Sequence, residues 1–453
     1  MKFFPLPLLI VTLFVGLPSH AGTPGSSPGR KYSSIERMTL PRLEAAHKDV
    51  EALKEKRVEV SLKTDLTDYH GILHSHADDS SHTGGTRPEM LEAAKKVGVD
   101  VIFLSDHFRP PRDYMDSWRG MKDGVLFIPG SETHGFVVHP MESIMDKMDK
   151  DEKTIIEAVT EGDGLIFLSH VEARPDHSME GLTGMEIYNR HADAMDDAPS
   201  MLALYQRLTD PEQAREMTEA IRLYPDEVLA AQQDYQQIYI AKWDAESLKQ
   251  KVVGIAADDC HHNNIFLCKM VDDETVLVGT NVDKDEDMRK ITAGMRPGIK
   301  EMTHGHQPGD ILASFDLDPY DIFFNDVSTH ILAKELTEES IRKALLSGHA
   351  YVSHDWMCDP TGFLVGVATK DEPKNLIAIM GDDLKYSSGQ NLTAEFPIEC
   401  QMKLRKNGQV VLEEQGRELV YPIEEPGVYR LEGWLTVDGE DRAWIYANPV
   451  YIR

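Results

Sequence analysis

The stretch GILHSHADDSSHTGGTRPEMLEAAKKVGVDVIFLSDH, residues 71–107, decides how the chain folds. Residues 71–73 are an apolar run too short for a helix, and His74-Ser75-His76 follows directly. Thr86-Arg87-Pro88-Glu89 has capping-box spacing, Leu91, Ala94 and Val97 continue one helical face, and Gly98 stops it. A second apolar run, Val101–Leu104, then leads into Asp106 and His107. The unit is strand, helix, strand, with side chains of metal-ligand type just past both strands.

The pattern recurs. Further short apolar runs stand at Val125–Ile128, Leu165–Leu168, 185–188 and 252–256. Glu132 and His134 follow the first of these, and His170 follows the second. Glu186 and Asn189 mark the end of the third, and Asp258, Asp259 and His261 follow the last. Alternating strands and helices imply a parallel sheet or a barrel. In a (β/α) barrel the C-terminal strand ends converge on one face, which would gather these groups into a single bowl.

The rest of the chain sets bounds. Its 453 residues exceed what one compact core usually supports, so two domains are expected. A formal charge of −30 argues against nucleic-acid polymers and anionic membranes as partners, though not against a small anionic substrate beside a divalent ion. Lys2, the apolar run 3–17 and Ser19-His20-Ala21 read as a signal peptide, 1–21, which predicts export to the periplasm or medium without a stable membrane anchor. Cys260, Cys268, Cys358 and Cys400 are too few and scattered for a disulfide framework, and a single bridge such as Cys260 to Cys268 stays open. Residues 22–64 read as a linker and a charged surface helix, 65–361 as the barrel. Residues 267–318 show no clear period. Glu335 to Ser347 reads as a helix ended by Gly348. From 362 to 453, short alternating runs separated by Asn407-Gly408, Pro426-Gly427 and Asp438-Gly439 suggest a small β-sandwich.

His-x-His at a strand end points two imidazoles the same way, because alternate residues share a face. Asp259-x-His261 repeats the arrangement, and Glu132 can bridge two ions with its two oxygens. Ten of the 19 histidines fall between His70 and His191, and this concentration makes a metal site the reading of the cluster. Zinc, manganese and iron all accept such mixed sets. His82, His134 and His139 stand as further candidates, whereas His177, His304 and His306 read as solvated loop residues.

His74-Ser75-His76, Ser105-Asp106-His107, Gly130-Ser131-Glu132, Ser169-His170 and Asp259-Cys260-His261 resemble, in order and spacing over 69–262, the motifs of the PHP (polymerase and histidinol phosphatase) superfamily. Glu186-Ile187-Tyr188-Asn189, the helix before Gly348 and the trailing β segment make the chain look closer to the carbaryl-hydrolase-like branch. The resemblance implies an α/β fold, a distorted (β/α)7 barrel of PHP type, holding two or three Zn, Mn or Fe ions for phosphoester hydrolysis. By motif, His74, His76, Glu132 and Asp259 would hold one ion. Glu132 and His170 would hold a second, with His139 or His134 added, and His107 with His261 a third. The family's further ligand after His-x-His falls among Asp78, Asp79 and His82, and its His-Pro is His170-Val171 here.

Water activated by the held ions would attack a small-molecule substrate. Arg109, Arg112, Arg174 and Arg190 lie just beyond motif residues, and Arg174 and Arg190 are taken as substrate anchors. Carbamate, amide or carboxylic ester hydrolysis is the alternative to phosphoester hydrolysis, since metal-assisted attack serves phosphorus and carbonyl centres alike. A non-catalytic metal or glycan binder is a third reading, which the intact ligand set disfavours. The oligomeric state is not legible in the sequence.

Overall fold

The computed structural model describes residues 28–115 and 118–453, so the expected signal peptide lies outside the described residues. In chain order the first strands are β1 (Thr67–Ser75), β2 (Val101–Leu104), β3 (Asp106–His107), β4 (Gly120–Lys122) and β5 (Val125–Ile128). Then come β6 (Ser131–Thr133), β7 (Phe136–His139), β8 (Leu165–Leu168), β9 (Gly184–Asn189) and β10 (Val253–Ala257). The six apolar runs fall on β1, β2, β5, β8, β9 and β10. The helix between β1 and β2, Arg87–Val97, carries both halves of the Thr86–Glu89 capping box and ends on Gly98 at φ 77.

The strand ladder is split between two sheets rather than closed into one. β1, β2 and β5 run parallel in the first, with β15 (Ser328–Ala333) antiparallel beside β1. The second sheet has the order β10-β9-β8-β7-β6-β3. β3 restarts one residue after β2, and β6 two residues after β5, so the second sheet takes over where the first ends. A parallel bridge between Ser75 and Cys260 joins the far side. Leu73, Phe103, Ile128, Val137, Phe167 and Ile255, drawn from both sheets, pack into one apolar core below the strand ends. The observed architecture is thus mixed α/β, without the single closed sheet expected. His74, at φ 65, sits where the β1–β2 register slips between Leu73 and Ser75, and β8 and β10 end just before His170 and Asp259, at φ 48 and 52.

Residues 265–316, without a readable period, form a four-stranded antiparallel sheet of β11 (Ile265–Asp272), β12 (Thr275–Thr280), β13 (Arg289–Thr292) and β14 (Ile311–Asp316). The N-terminal segment makes two helices, Ser34–Arg37 and Leu40–Lys54, and the second buries Leu43, Ala46 and Val50 along one face. The helix before Gly348 spans Glu338–Ser347. After β16 (Ala350–Ser353) come β17 (Leu364–Thr369), β18 (Glu372–Ile379), β19 (Asp383–Leu384) and β20 (Gln390–Lys406). The chain ends with β21 (Gln409–Pro422), β22 (Gly427–Val437), β23 (Glu440–Ala447) and β24 (Val450–Ile452). β23 pairs with β16, so these strands continue the first sheet, and Trp444, Phe396 and Trp356 share one core. All four cysteines are buried and unpaired. Among the described residues no helix is long and apolar enough to cross a membrane.

Candidate metal centre

The end of β1 and the loop after β10 build the centre together. The Asp259 N–H donates to His74 O at 2.8 Å and the His76 N–H to Cys260 O at 3.0 Å, which fixes the two motifs side by side. His74 Nε2 and His76 Nε2 each stand 3.4 Å from Asp259 Oδ1. They lie 3.7 and 3.8 Å from Glu132 Oε2, and His107 Nε2 is 3.5 Å from that same oxygen. Across the site, His170 Nε2 is 3.3 Å from Glu132 Oε1 and 3.4 Å from Asp259 Oδ2. Both carboxylates therefore span two positions, one oxygen toward His74 and His76, the other toward His170. The His261 ring stacks on His76 at 4.1 Å between centroids. Three donor groups result: His74 with His76 and Glu132; His74 with His170 and Asp259; and His76 with His107 and His261.

The donors fit a divalent ion. Nε2 of His74, His76 and His261 is buried with no hydrogen-bond partner among the described residues. Orphaned nitrogens of this kind are costly unless something electrophilic meets them. The spacing agrees. Donors bound at roughly 2.1 Å around a tetrahedral ion stand roughly 3.4 Å apart, which is the separation of both imidazoles from Asp259 Oδ1.

Behind four of the five ligand imidazoles stands a carboxylate, whereas His261 Nδ1 faces the Asp259 carbonyl at 3.0 Å. His74 Nδ1 donates to Glu186 Oε1 at 2.6 Å, and Glu186 Oε2 accepts the backbone N–H of His170 at 2.9 Å. His170 Nδ1 donates to Glu172 Oε1 at 3.2 Å, and Glu172 in turn accepts the Tyr239 hydroxyl. Asp79 accepts both His76 Nδ1 at 3.0 Å and His107 Nδ1 at 2.6 Å. Because a carboxylate only accepts, each of these rings must carry a proton on Nδ1, which leaves Nε2 as the atom that can give its lone pair to an ion.

The electrostatics ask for positive charge. Burial alone would push His74 down, but Asp259, Glu186 and Glu132 hold it well above the ordinary imidazole range. His76 and His170 are raised to about 9 and about 11 against the same burial, by Asp259 and Asp79 in one case and by Glu132 and Glu172 in the other. Glu132 and Asp259 are held well below the carboxylate range, against their own burial, by the imidazoles around them. Burial, with His76 beside it, pushes His261 well down, which keeps its nitrogens free of a second proton.

All seven expected ligands thus meet at one place: His74, His76, His107, Glu132, His170, Asp259 and His261. The other candidates separate. His82 lies against the group, its ring 4.6 Å from His107 and 5.1 Å from His261. His139, at the opposite end of the β6–β7 hairpin from Thr133, is fully buried with its ring 5.0 Å from that of Phe103, and burial pushes it down to about 3. His134 is exposed in the hairpin turn. Asp78 accepts the Arg87 N–H at the start of the helix. Arg174 lies across that turn, where a Cβ on Gly135 would stand 2.1 Å from its Nε. Arg190, taken as an anchor, is 1% exposed and donates to Leu229 O and Gln232 Oε1, so it does not reach the bowl. Arg112 is spent on Asp78 O and Asp106, and Arg109 is exposed. Sequence reasoning missed the positioning role of Glu186, whose signal was a carboxylate inside a fully buried strand. It also missed His191, whose ring lies 6.2 Å from that of His170, and no motif pointed to it. His262, Asp316 and Asp318 form a fourth donor group, but Asp318 is engaged by the backbone N–H groups of Asn263 and Asn264.

No family model matches the chain, and no curated protein matches it. Among solved structures it is similar to a two-domain protein containing a predicted PHP-like metal-dependent phosphoesterase from Bacteroides vulgatus ATCC 8482. Identity is 14%, over 87% of this chain and 98% of that one, with a TM-score of 0.32. Likeness that low leaves function to the side chains.

Proposed function

We propose that the chain is an exported metal-dependent hydrolase of the PHP superfamily, in its carbaryl-hydrolase-like branch, acting on a small phosphoester. The observation that carries the metal centre is the set of buried, unpartnered Nε2 atoms facing two carboxylates that each span two positions. The order of motifs along the chain supports the superfamily, and Glu186-Ile187-Tyr188-Asn189 supports the branch. In this reading β1 to β10 act as a distorted barrel whose strand ends carry the bowl, and residues 362–453 contribute no ligand. Two or three Zn, Mn or Fe ions would supply Lewis acidity and lower the pKa of water.

The protein's own part is to hold and orient. Glu132 and Asp259 keep neighbouring positions at fixed separation, while Glu186, Glu172 and Asp79 set the tautomers. Arg174, which lies against Gly135 in the turn after Glu132, would take an anionic oxygen of the substrate in its guanidinium fork. Burial of Arg190 leaves one such fork instead of two, which keeps carbamate, amide or ester hydrolysis as the second reading. The test is Arg174→Ala with metal content verified, assayed on phosphoesters, carbamates and esters. Selective loss of phosphoester turnover, about ten- to a hundredfold in kcat/KM, is expected. Carbamate or ester turnover without phosphatase activity under any of the three metals would overturn the phosphoester reading.

A further inference from the structure

Asp79 stands three residues past His76, in the loop before the helix, with its side chain fully buried. Its Oδ2 accepts three donors: His76 Nδ1 at 3.0 Å, His107 Nδ1 at 2.6 Å and the His107 backbone N–H at 2.7 Å. Thr83 Oγ1 donates to its other oxygen. The carboxylate is thus fixed at both ends and faces the backs of two imidazoles, away from their Nε2 atoms. It belongs to none of the donor groups. His76 belongs to two donor groups, one with His74 and Glu132 and one with His107 and His261, but its single Nε2 lone pair can hold one ion, so an ion at the first group leaves His107 and His261 for a second.

We propose that Asp79 is a positioning residue that couples the occupancy of two metal positions, a role that rests on the metal-centre reading above. An ion held by His76 Nε2 would fix that ring more tightly and, through its Nδ1–H, the Asp79 Oδ2 that His107 Nδ1 also uses as its acceptor. Ordering done for the first ion is not repeated for the second, which makes the two bind cooperatively. Among the described residues no other carboxylate joins the Nδ1 atoms of two ligand histidines: Glu186 meets Nδ1 of His74 and Glu172 that of His170.

The experiment is titration of the full metal-free chain with Mn2+ alone, followed by electron paramagnetic resonance, for the wild type and Asp79→Asn. The amide has the same shape but no negative charge, so the one oxygen that faces both Nδ1–H groups and the His107 N–H holds them more weakly. Affinity should fall about ten- to a hundredfold for two ions together, and their binding should become independent. Wild-type uptake in Asp79→Asn, or a loss confined to one ion, would overturn the coupling alone. A wild-type chain that takes up no manganese would overturn the metal-centre reading along with it. A second measurement needs no variant. In the zinc-loaded wild-type chain, long-range proton–nitrogen spectra of labelled histidines should show His76 and His107 both protonated at Nδ1. Either ring found protonated at Nε2 would overturn the proposal even if Asp79→Asn failed to fold.

Discussion

Replacing Glu186 with glutamine separates charge and acceptor count from shape at the heart of the site. The carboxylate is fully buried and takes three donors: His74 Nδ1 at 2.6 Å, His170 N at 2.9 Å and Asn189 Nδ2 at 3.0 Å. An amide offers one acceptor oxygen and one donor group. If its oxygen faces His74, its NH2 meets the N–H of His170 and the NH2 of Asn189. Asn189 cannot simply flip, because its Oδ1 caps the following helix by accepting the Ala192 N–H at 2.9 Å. If its oxygen faces His170, the NH2 confronts His74 Nδ1–H and drives that ring to the tautomer whose Nε2 is protonated and cannot bind an ion. The first arrangement leaves a buried donor unpaired at about 1–3 kcal/mol, and the second weakens the metal site about ten- to a hundredfold. Competition titration with zinc against a chromophoric chelator, with denaturant titration of the metal-free form, measures both. Glu186→Gln with wild-type zinc affinity and wild-type stability would refute the positioning role.

Metal uptake should release protons: His76 and His170 titrate at about 9 and about 11 in the ion-free chain, yet coordination needs their lone pairs. Affinity should therefore climb as pH rises toward about 9, and calorimetry in buffers of different ionisation enthalpy should show at least one proton leaving; none released would contradict this. Gly184→Ala should destabilise the fold by about 1–3 kcal/mol, because its Cβ would stand 2.0 Å from Val253 O between the strands that carry Glu186 and lead to Asp259; urea unfolding at wild-type concentration would speak against it. Away from the metal centre, His330 lies between Asp68 and Asp355, whose attraction outweighs burial and raises it well above 6.5. Its contribution is fully present below the unfolded value near 6.5 and is lost as pH rises through the higher folded value. The stability gap between wild type and His330→Gln should accordingly shrink at alkaline pH, and a gap independent of pH would rule the ion pairs out as its cause.

The site was legible because ligand chemistry is tied to strand ends. His74-Ser75-His76, Glu132, His170 and Asp259-Cys260-His261 each follow an apolar run, and the folded chain brings them together. What the sequence hides is direction. Arg190 directly follows Asn189 and Arg174 stands four residues past His170, yet the helix starting at Arg190 turns its side chain into the interior, against Leu229 and Gln232. The closed barrel was not recovered because strand periodicity says nothing of where the chain changes sheet: β2 gives way to β3 across Ser105, and β5 to β6 across Pro129 and Gly130. The C-terminal strands read as alternating runs with tight turns, but their attachment through β16 and β23 depends on pairing between residues about ninety positions apart, which no local pattern carries.

The account stands or falls on metal content. Elemental analysis of the purified wild-type chain, His74→Ala and Asp259→Ala, each checked for folding by circular dichroism, is the most direct measurement. At least two divalent transition-metal ions per wild-type chain are predicted, with loss of metal in both variants. A folded wild-type chain without metal after reconstitution, or full occupancy in both variants, would contradict the centre described here.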